Sequence, residues 1–257
     1  MKKLICILGF CTLVLTSCST SESTPSANEN EVLVVSMVDT YANDGSTVTT
    51  NFTYNGKKMV RTTSSDGYYE NYTYAGDLLT RVESFDTSNI LLERYTYSYN
   101  SEGYVVSNVD LDFEFNDGFR ETYVYNSDGT VSVTGYDGTL ASQTDVTNTA
   151  IVSFANGEVS SYENTSIFFG ETSSSTYVYD TQNNPFKNVI GFNKLKFVNF
   201  EAVRSGRNII TQSFDSPTIN YVFSSVFTYN GLNFPTLQTT MQEGIPDATV
   251  TTQYSYN

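Results

Sequence analysis

Large apolar side chains alternate with small polar ones along most of this chain. In Tyr95-Thr96-Tyr97-Ser98-Tyr99, Thr and Ser separate three tyrosines, and the same period of two carries Tyr221, Phe223, Phe227 and Tyr229. On a pleated strand that period sends one set to one face and the other set to the opposite face. The alternating runs are broken by Asp-Gly or Asn-Gly at residues 44, 55, 66, 117, 128, 137, 156 and 230, which use half of the 16 glycines. Such pairs tolerate the positive φ of tight hairpin turns. The pattern predicts one β-hairpin after another.

The hairpins also repeat. An aromatic-x-aromatic pair followed by a turn, often with Gly and then an apolar residue, begins at Phe52, Tyr72, Tyr97, Tyr123, Tyr177 and Phe227. A worn copy sits at Phe154, and the chain stops on Tyr254-Ser255-Tyr256-Asn257. From one second aromatic to the next the spacings are 20, 25, 26, 29, 25, 50 and 27 residues. The 50 reads as two periods, with a unit near residue 204 that has lost its signature. Self-similarity at this period means one supersecondary unit used many times. About eight two-stranded units give about 16 strands, more than an open sheet usually holds without curling. The expected fold is all-β: a repetitive antiparallel β-hairpin array curled into a shell or barrel-like sheet.

These residues resemble the YD repeats of RHS-type proteins, Y-x-Y-D-x-x-G-x-L, over most of residues 50–257. Only Asp180 keeps the aspartate of the name; elsewhere Asn or Ala replaces it. The run Tyr179-Asp180-Thr181-Gln182-Asn183-Asn184-Pro185-Phe186 looks like the repeat lipoproteins of Bacteroidetes envelopes. The resemblance implies a shell of hairpins and transfers no activity.

At the N-terminus, Lys2 and Lys3 precede an apolar run from Leu4 to Leu15, the layout of a secretory signal. Leu15-Thr16-Ser17-Cys18 resembles the lipobox of bacterial lipoproteins. That resemblance implies diacylglyceryl (palmitate-type) attachment at Cys18 and cleavage before it. The expected organisation is a signal peptide over 1–17, a lipidated flexible tether over 18–30 and a single all-β domain over 31–257. Residues 19–30 are small and polar, too poor in apolar groups to offset their ordering entropy.

Composition sharpens this picture. The chain holds 20 Tyr, 17 Phe and 35 Thr against 8 Ala, as strands require. Processing removes Cys6 and Cys11, and no histidine exists anywhere. Histidine triads, cysteine nucleophiles and Cys/His zinc sites are therefore excluded. Without the two leader lysines, the 13 basic side chains become 11 against 28 acids, a formal −17. Nucleic acid is not an expected partner of such a surface.

Three features could carry chemistry. Asp110, Asp112 and Glu114 alternate with Leu111, Phe113 and Phe115, so on a strand the three carboxylates share a face. They could bind Ca²⁺ or supply an acid/base pair for glycoside cleavage; the simplest reading is a solvated outer face. The second feature is residues 184–207, the one break in the hairpin rhythm. Asn184-Pro185 resembles a helix start, which predicts one short helical insertion near 184–200. Lys187, Lys194, Lys196, Arg204 and Arg207 cluster here beside Glu201. They could form a basic docking patch, but the favoured reading is a plug whose apolar side fills the curled sheet. The third feature is the aromatic excess, most of it expected in the core; the off-register Tyr68, Tyr69, Tyr104 and Tyr136 are candidates for exposure, where rings could stack on sugars.

The leading expectation is a non-enzymatic envelope protein, held at the outer membrane by its lipid anchor, with a binding or scaffolding role. A glycan or an envelope protein would be its partner, and no cofactor is required unless the acidic strip takes Ca²⁺. The alternatives are a carrier of an apolar or lipid ligand inside the sheet and a carboxylate-dependent glycoside hydrolase. Nothing in the sequence sets the oligomeric state.

Overall fold

A computed structural model describes residues 28–198 and 205–257; the leader, Cys18 and Arg204 lie outside them. Among the described residues there are sixteen strands. They are β1 (Val34–Tyr41), β2 (Thr47–Asn55), β3 (Lys58–Ser64), β4 (Tyr69–Ala75), β5 (Leu78–Phe85), β6 (Leu91–Tyr99), β7 (Val105–Asp112) and β8 (Asp117–Tyr125). The second half comprises β9 (Val131–Thr139), β10 (Ser142–Ala155), β11 (Glu158–Ser166), β12 (Thr172–Tyr179), β13 (Ile209–Asp215), β14 (Asn220–Tyr229), β15 (Pro235–Gln242) and β16 (Ile245–Tyr256). Each strand pairs antiparallel with its sequence neighbours, and β1 pairs with β16, so the sheet closes into a barrel. The expected all-β curled hairpin array is what the chain forms.

The two faces follow from the alternation. Tyr97, Tyr123, Tyr162 and Tyr177 are buried in one core with Met59, Leu79, Val82, Val105, Val131, Val133, Val152 and Val159. The intervening positions face out. Thr49, Asn51 and Thr53 stand opposite Val38, Ser36 and Arg61, while Thr96 and Ser98 stand opposite Val109 and Ser107. Large apolar side chains on this outer wall are scattered: Val124 is 61% exposed, with Val178 and Val226 similar, among Ser, Thr and charged neighbours. Arg81 and Arg94 flank Glu83 on the same wall at 3.4 and 2.9 Å.

The repeat signature has a hydrogen-bonding purpose. In four copies the second tyrosine reaches across to a backbone carbonyl 20 or 21 residues earlier. Tyr54 donates to Val34 at 2.7 Å, Tyr99 to Leu79 at 2.6 Å, Tyr125 to Val105 at 3.0 Å and Tyr256 to Pro235 at 2.8 Å. Each receiving residue is the first or second of the preceding strand, and Leu79 and Val105 are apolar residues that follow the turn glycine. Burial pushes the Tyr125 hydroxyl up to about 12, so it stays a proton donor at ordinary pH.

Three readings of the sequence need correction. The 50-residue interval is a single unit with a 29-residue insertion before β13, since the eight even-numbered strands already account for every aromatic mark. The insertion contains no α-helix among its described residues; the regular structure there is 3-10, the turn Phe192–Lys194 and Val198. Asn184 accepts from the Phe186 amide at 2.9 Å, as a cap would, but the Ile190 amide is drawn away to the carbonyl of Lys57 at 3.0 Å. Gly191 then turns left-handed (φ 88°) where a Cβ would stand 3.1 Å from the Leu79 nitrogen. Finally, Asp117-Gly118 and Asp137-Gly138 lie in strands rather than turns. There a Cβ on Gly118 or Gly138 would meet a backbone oxygen at 2.6 or 2.0 Å, so the glycines serve close approach.

The insertion is the plug that the sequence suggested. Val189, Phe192, Leu195, Phe197 and Val198 are buried in the barrel core. Phe197 meets Tyr123, Phe154 and Tyr125 edge-on at 5.4, 5.8 and 6.2 Å. Phe186 meets Phe52 at 5.5 Å, and Phe192 meets Tyr72 at 6.3 Å. Phe197→Ala should lower the unfolding free energy by about 3–5 kcal/mol, the usual cost of emptying an aromatic core site. Tyr99→Phe, which loses only a hydrogen bond, should cost about 1 kcal/mol. Urea denaturation followed by far-ultraviolet circular dichroism measures both; equal effects would contradict the plug's place in the core.

Candidate functional site

The two ends of the barrel differ. The insertion, the tight turns Gly56-Lys57, Gly76-Asp77 and Asn156-Gly157, and the folded start of the chain all lie at one end. Asn188 fastens the chain start to the plug, donating to the carbonyls of Glu29 and Val32 at 2.6 and 2.9 Å. All five lysines beyond the leader belong to this end, in the 57–58 turn and the plug. The opposite rim is formed by the loops after the odd-numbered strands, which contain six acids and no Lys or Arg. Several of these loops expose a large apolar side chain, among them Tyr68, Ile90, Phe115, Phe168, Ile219 and, at 80% exposure, Phe169.

The plug fills the lumen unevenly. Its rings pack toward β2, β4, β8 and β10, where the inward side chains are largely aliphatic and aromatic. On the side of β13 to β16 and β1 a cavity of about 290 Å³ remains. Asn184, Pro185 and Phe186 of the plug form its floor, so it faces the acidic rim. Its wall carries Ile209 and Gln212 from β13, Phe223, Ser225 and Phe227 from β14, Gln238 and Thr240 from β15, Thr252 and Tyr254 from β16, and Met37 from β1. None of its lining side chains is charged. Gln238 is held on three sides: its amide donates to Thr240 at 2.8 Å and Ser225 at 3.3 Å, and its oxygen accepts from Tyr254. No sequence motif marked these residues; the only signal was polar amides at inward positions where other repeats carry Val or Leu.

The acidic strip is not on the outer face. Asp110 and Asp112 stand opposite Tyr95 and Glu93 on β6 and opposite Phe119 and Asp117 on β8, on the lumen side of the wall. Glu114 lies in the following turn and is exposed, so the three do not share a strand face. The cause is register: the inward set of β7 begins at buried Val105 and continues through Asn108, Asp110 and Asp112. Burial, then Glu93, Asp112, Glu121 and Asp117, push the Asp110 carboxyl up to about 7. Its Oδ1 is buried without a hydrogen-bond partner. Among the described residues no three Asp, Glu, His or Cys side chains are disposed to hold a metal ion.

The described members of the basic group diverge. Lys187 donates to Asn183 at 2.8 Å, Lys194 lies 5.5 Å from the Tyr104 ring centre, and Lys196 pairs with Glu158 at 3.4 Å. Arg207 donates to the carbonyl of Thr181. Tyr69 and Tyr136 do face outward, beneath Arg61 and Arg120, while Tyr68 and Tyr104 are exposed in loops.

The raised Asp110 pKa sets a pH dependence. The folded chain holds this proton more tightly than the unfolded chain, so the stability it contributes is present below about pH 4 and lost as pH rises through about 7. Asp110→Asn removes that loss. Between about pH 4 and 8 its thermal midpoint should fall less than the parent's, leaving the variant the more stable at the alkaline end. Parallel melting curves against pH would contradict the lumenal placement.

No family model and no curated protein matches this chain. Among solved structures it is similar to a porin-like protein from Bacteroides uniformis ATCC 8492, at 12% identity over 88% of this chain and 96% of that one, with a TM-score of 0.53. A porin-like protein from Bacteroides vulgatus ATCC 8482 matches at 12% identity over 88% and 99%, with a TM-score of 0.56. At that identity the likeness is one of fold.

Proposed function

We propose that this chain is a non-enzymatic envelope lipoprotein that stands on the outer membrane through Cys18 and binds a ligand through the open end of its barrel. The observation that carries this is the polarity of the two faces. Aromatic and aliphatic side chains point inward, while the outer wall is Ser, Thr and charged groups with single apolar residues. A membrane-spanning barrel needs the reverse, a continuous outward apolar band about 25 Å tall. The lipobox-like Leu15–Cys18 supplies attachment in its place, and each buried acyl methylene adds about 0.8 kcal/mol. The fold likeness to porin-like proteins from Bacteroides fits an envelope setting.

Orientation follows from the chain. The folded domain begins against the plugged, lysine-bearing end, so a tether from there turns that end to the membrane and the acidic rim away from it. A binding role is favoured over catalysis because no carboxylate lines the cavity and the chain has no histidine. The carrier of an apolar ligand is the second reading, favoured by the four rings lining the cavity and opposed by the amides between them.

Expressed with its leader in a Gram-negative host, the full-length protein should take up labelled fatty acid and sediment with membranes, and Cys18→Ala should abolish both. A chain starting at Asn28 should be soluble without detergent and give a strand spectrum. If that chain is ordered only in detergent micelles, the barrel spans the membrane and the reading fails.

A further inference from the structure

We infer that the cavity beside the plug is a binding site for a small neutral saccharide, of one or two sugar units. The inference rests on the binding role proposed above and names its ligand class. At about 290 Å³ the space is near the lower end of small-molecule sites.

A contrast across the lumen motivates the assignment. Opposite the plug's rings, the wall is closed with Leu79, Val82, Val105, Val131, Val133, Val152 and neighbouring tyrosines. On β13 to β16 the inward positions include Gln212, Ser225, Gln238, Thr240 and Thr252 among Ile209, Phe223, Phe227 and Tyr254, and no described side chain fills the space before them. A barrel that needed only a core here would carry aliphatic side chains, because buried amides must find partners. Some of these have not. Asn208 is 2% exposed; its Nδ2 donates to Asp180 and to the Asn183 carbonyl at 3.1 Å, yet its Oδ1 has no partner. Gln212, which also lines the cavity, forms no side-chain hydrogen bond among the described residues. Gln238, by contrast, is fixed by Ser225, Thr240 and Tyr254, which preorganises that side of the site.

The chemistry of the lining selects the ligand. An anion would find no cation in the cavity and would have to pass an acidic rim. A cation would find no carboxylate to pair with there. A wholly apolar molecule would leave Gln212 and the Asn208 oxygen unpaired, a mismatch that discriminates strongly in a buried site. A neutral sugar satisfies both halves: its C–H face lies on Phe223, Phe227 or Phe186, and its hydroxyls donate to Asn208 Oδ1 and exchange hydrogen bonds with Gln212.

The test uses the full-length protein purified in a detergent without a sugar headgroup. Ligands are neutral mono- and disaccharides (glucose, galactose, mannose, maltose and cellobiose), with glucuronate, glucosamine and 1-octanol as charged and apolar comparators. Saturation-transfer NMR and tyrosine fluorescence read binding, the latter unconfused by tryptophan because the chain has none. At least one neutral saccharide should bind, and the charged analogues should not. Gln212→Leu and Phe223→Ala should each weaken binding at least tenfold, and Gln212→Leu should leave the melting temperature within a few degrees of the parent. Val124→Thr on the outer wall should leave binding unchanged. Absence of binding by every neutral saccharide, or equal binding by both cavity variants, overturns the inference; binding of octanol alone overturns it in favour of an apolar carrier. Because this assay reads the lumen and the fatty-acid assay reads Cys18, failure of one is distinguishable from failure of the other.

Discussion

Closure of the sheet is the constraint from which the remaining features follow. β1 lies against β16 from Val34–Tyr256 to Tyr41–Val250, so the meander has no free edge to pair with another chain. A ring of eight strands encloses about as much space as its own side chains can fill; sixteen strands enclose far more. The wall therefore cannot make its own core. It turns its largest side chains inward, uses tyrosine hydroxyls to tie neighbouring strands, and receives a 29-residue insertion between β12 and β13 as filling. The described part of the insertion packs toward only part of the circumference. Beside that part a cavity remains, and there amide and hydroxyl side chains join the apolar ones on the wall.

The same wall architecture can face either solvent or lipid, and strand number alone does not decide between them. The side-chain period decides. Here Thr53, Thr96 and Ser98 are outside and Tyr54 and Tyr97 inside, with no outward apolar band among the described residues. Similarity to porin-like proteins is one of fold; the partition of polar and apolar faces is read from this chain's own side chains. The asymmetry of the ends adds direction: lysines, the plug and the chain start at one end, acids and exposed rings at the other.

Much of this was legible in the sequence. Period-two alternation identified the strands, the aromatic marks identified the hairpins, and the break at residues 184–207 identified the plug, because local patterns encode local pairing. Register and long-range packing were not legible. Asp110 and Asp112 read as solvated because alternation assigns two faces without saying which is inside. Asn184-Pro185 read as a helix start, since a cap motif cannot report that the Ile190 amide will bond to Lys57. The cavity was invisible because its outline depends on where Asn184, Pro185 and Phe186 of the plug sit against β13 to β16 and Met37 of β1, which no local pattern reports.

Closure can be tested directly because the chain from Asn28 onward has no cysteine. Val38 on β1 and Gln253 on β16 stand opposite one another. In a Val38→Cys, Gln253→Cys variant, mild oxidation in native buffer should produce an intramolecular disulfide in the monomer, seen as a faster band on a non-reducing gel, with the strand spectrum unchanged. An uncrosslinked monomer, or crosslinked dimers alone, would mean that the first and last strands are free edges and that the barrel is open.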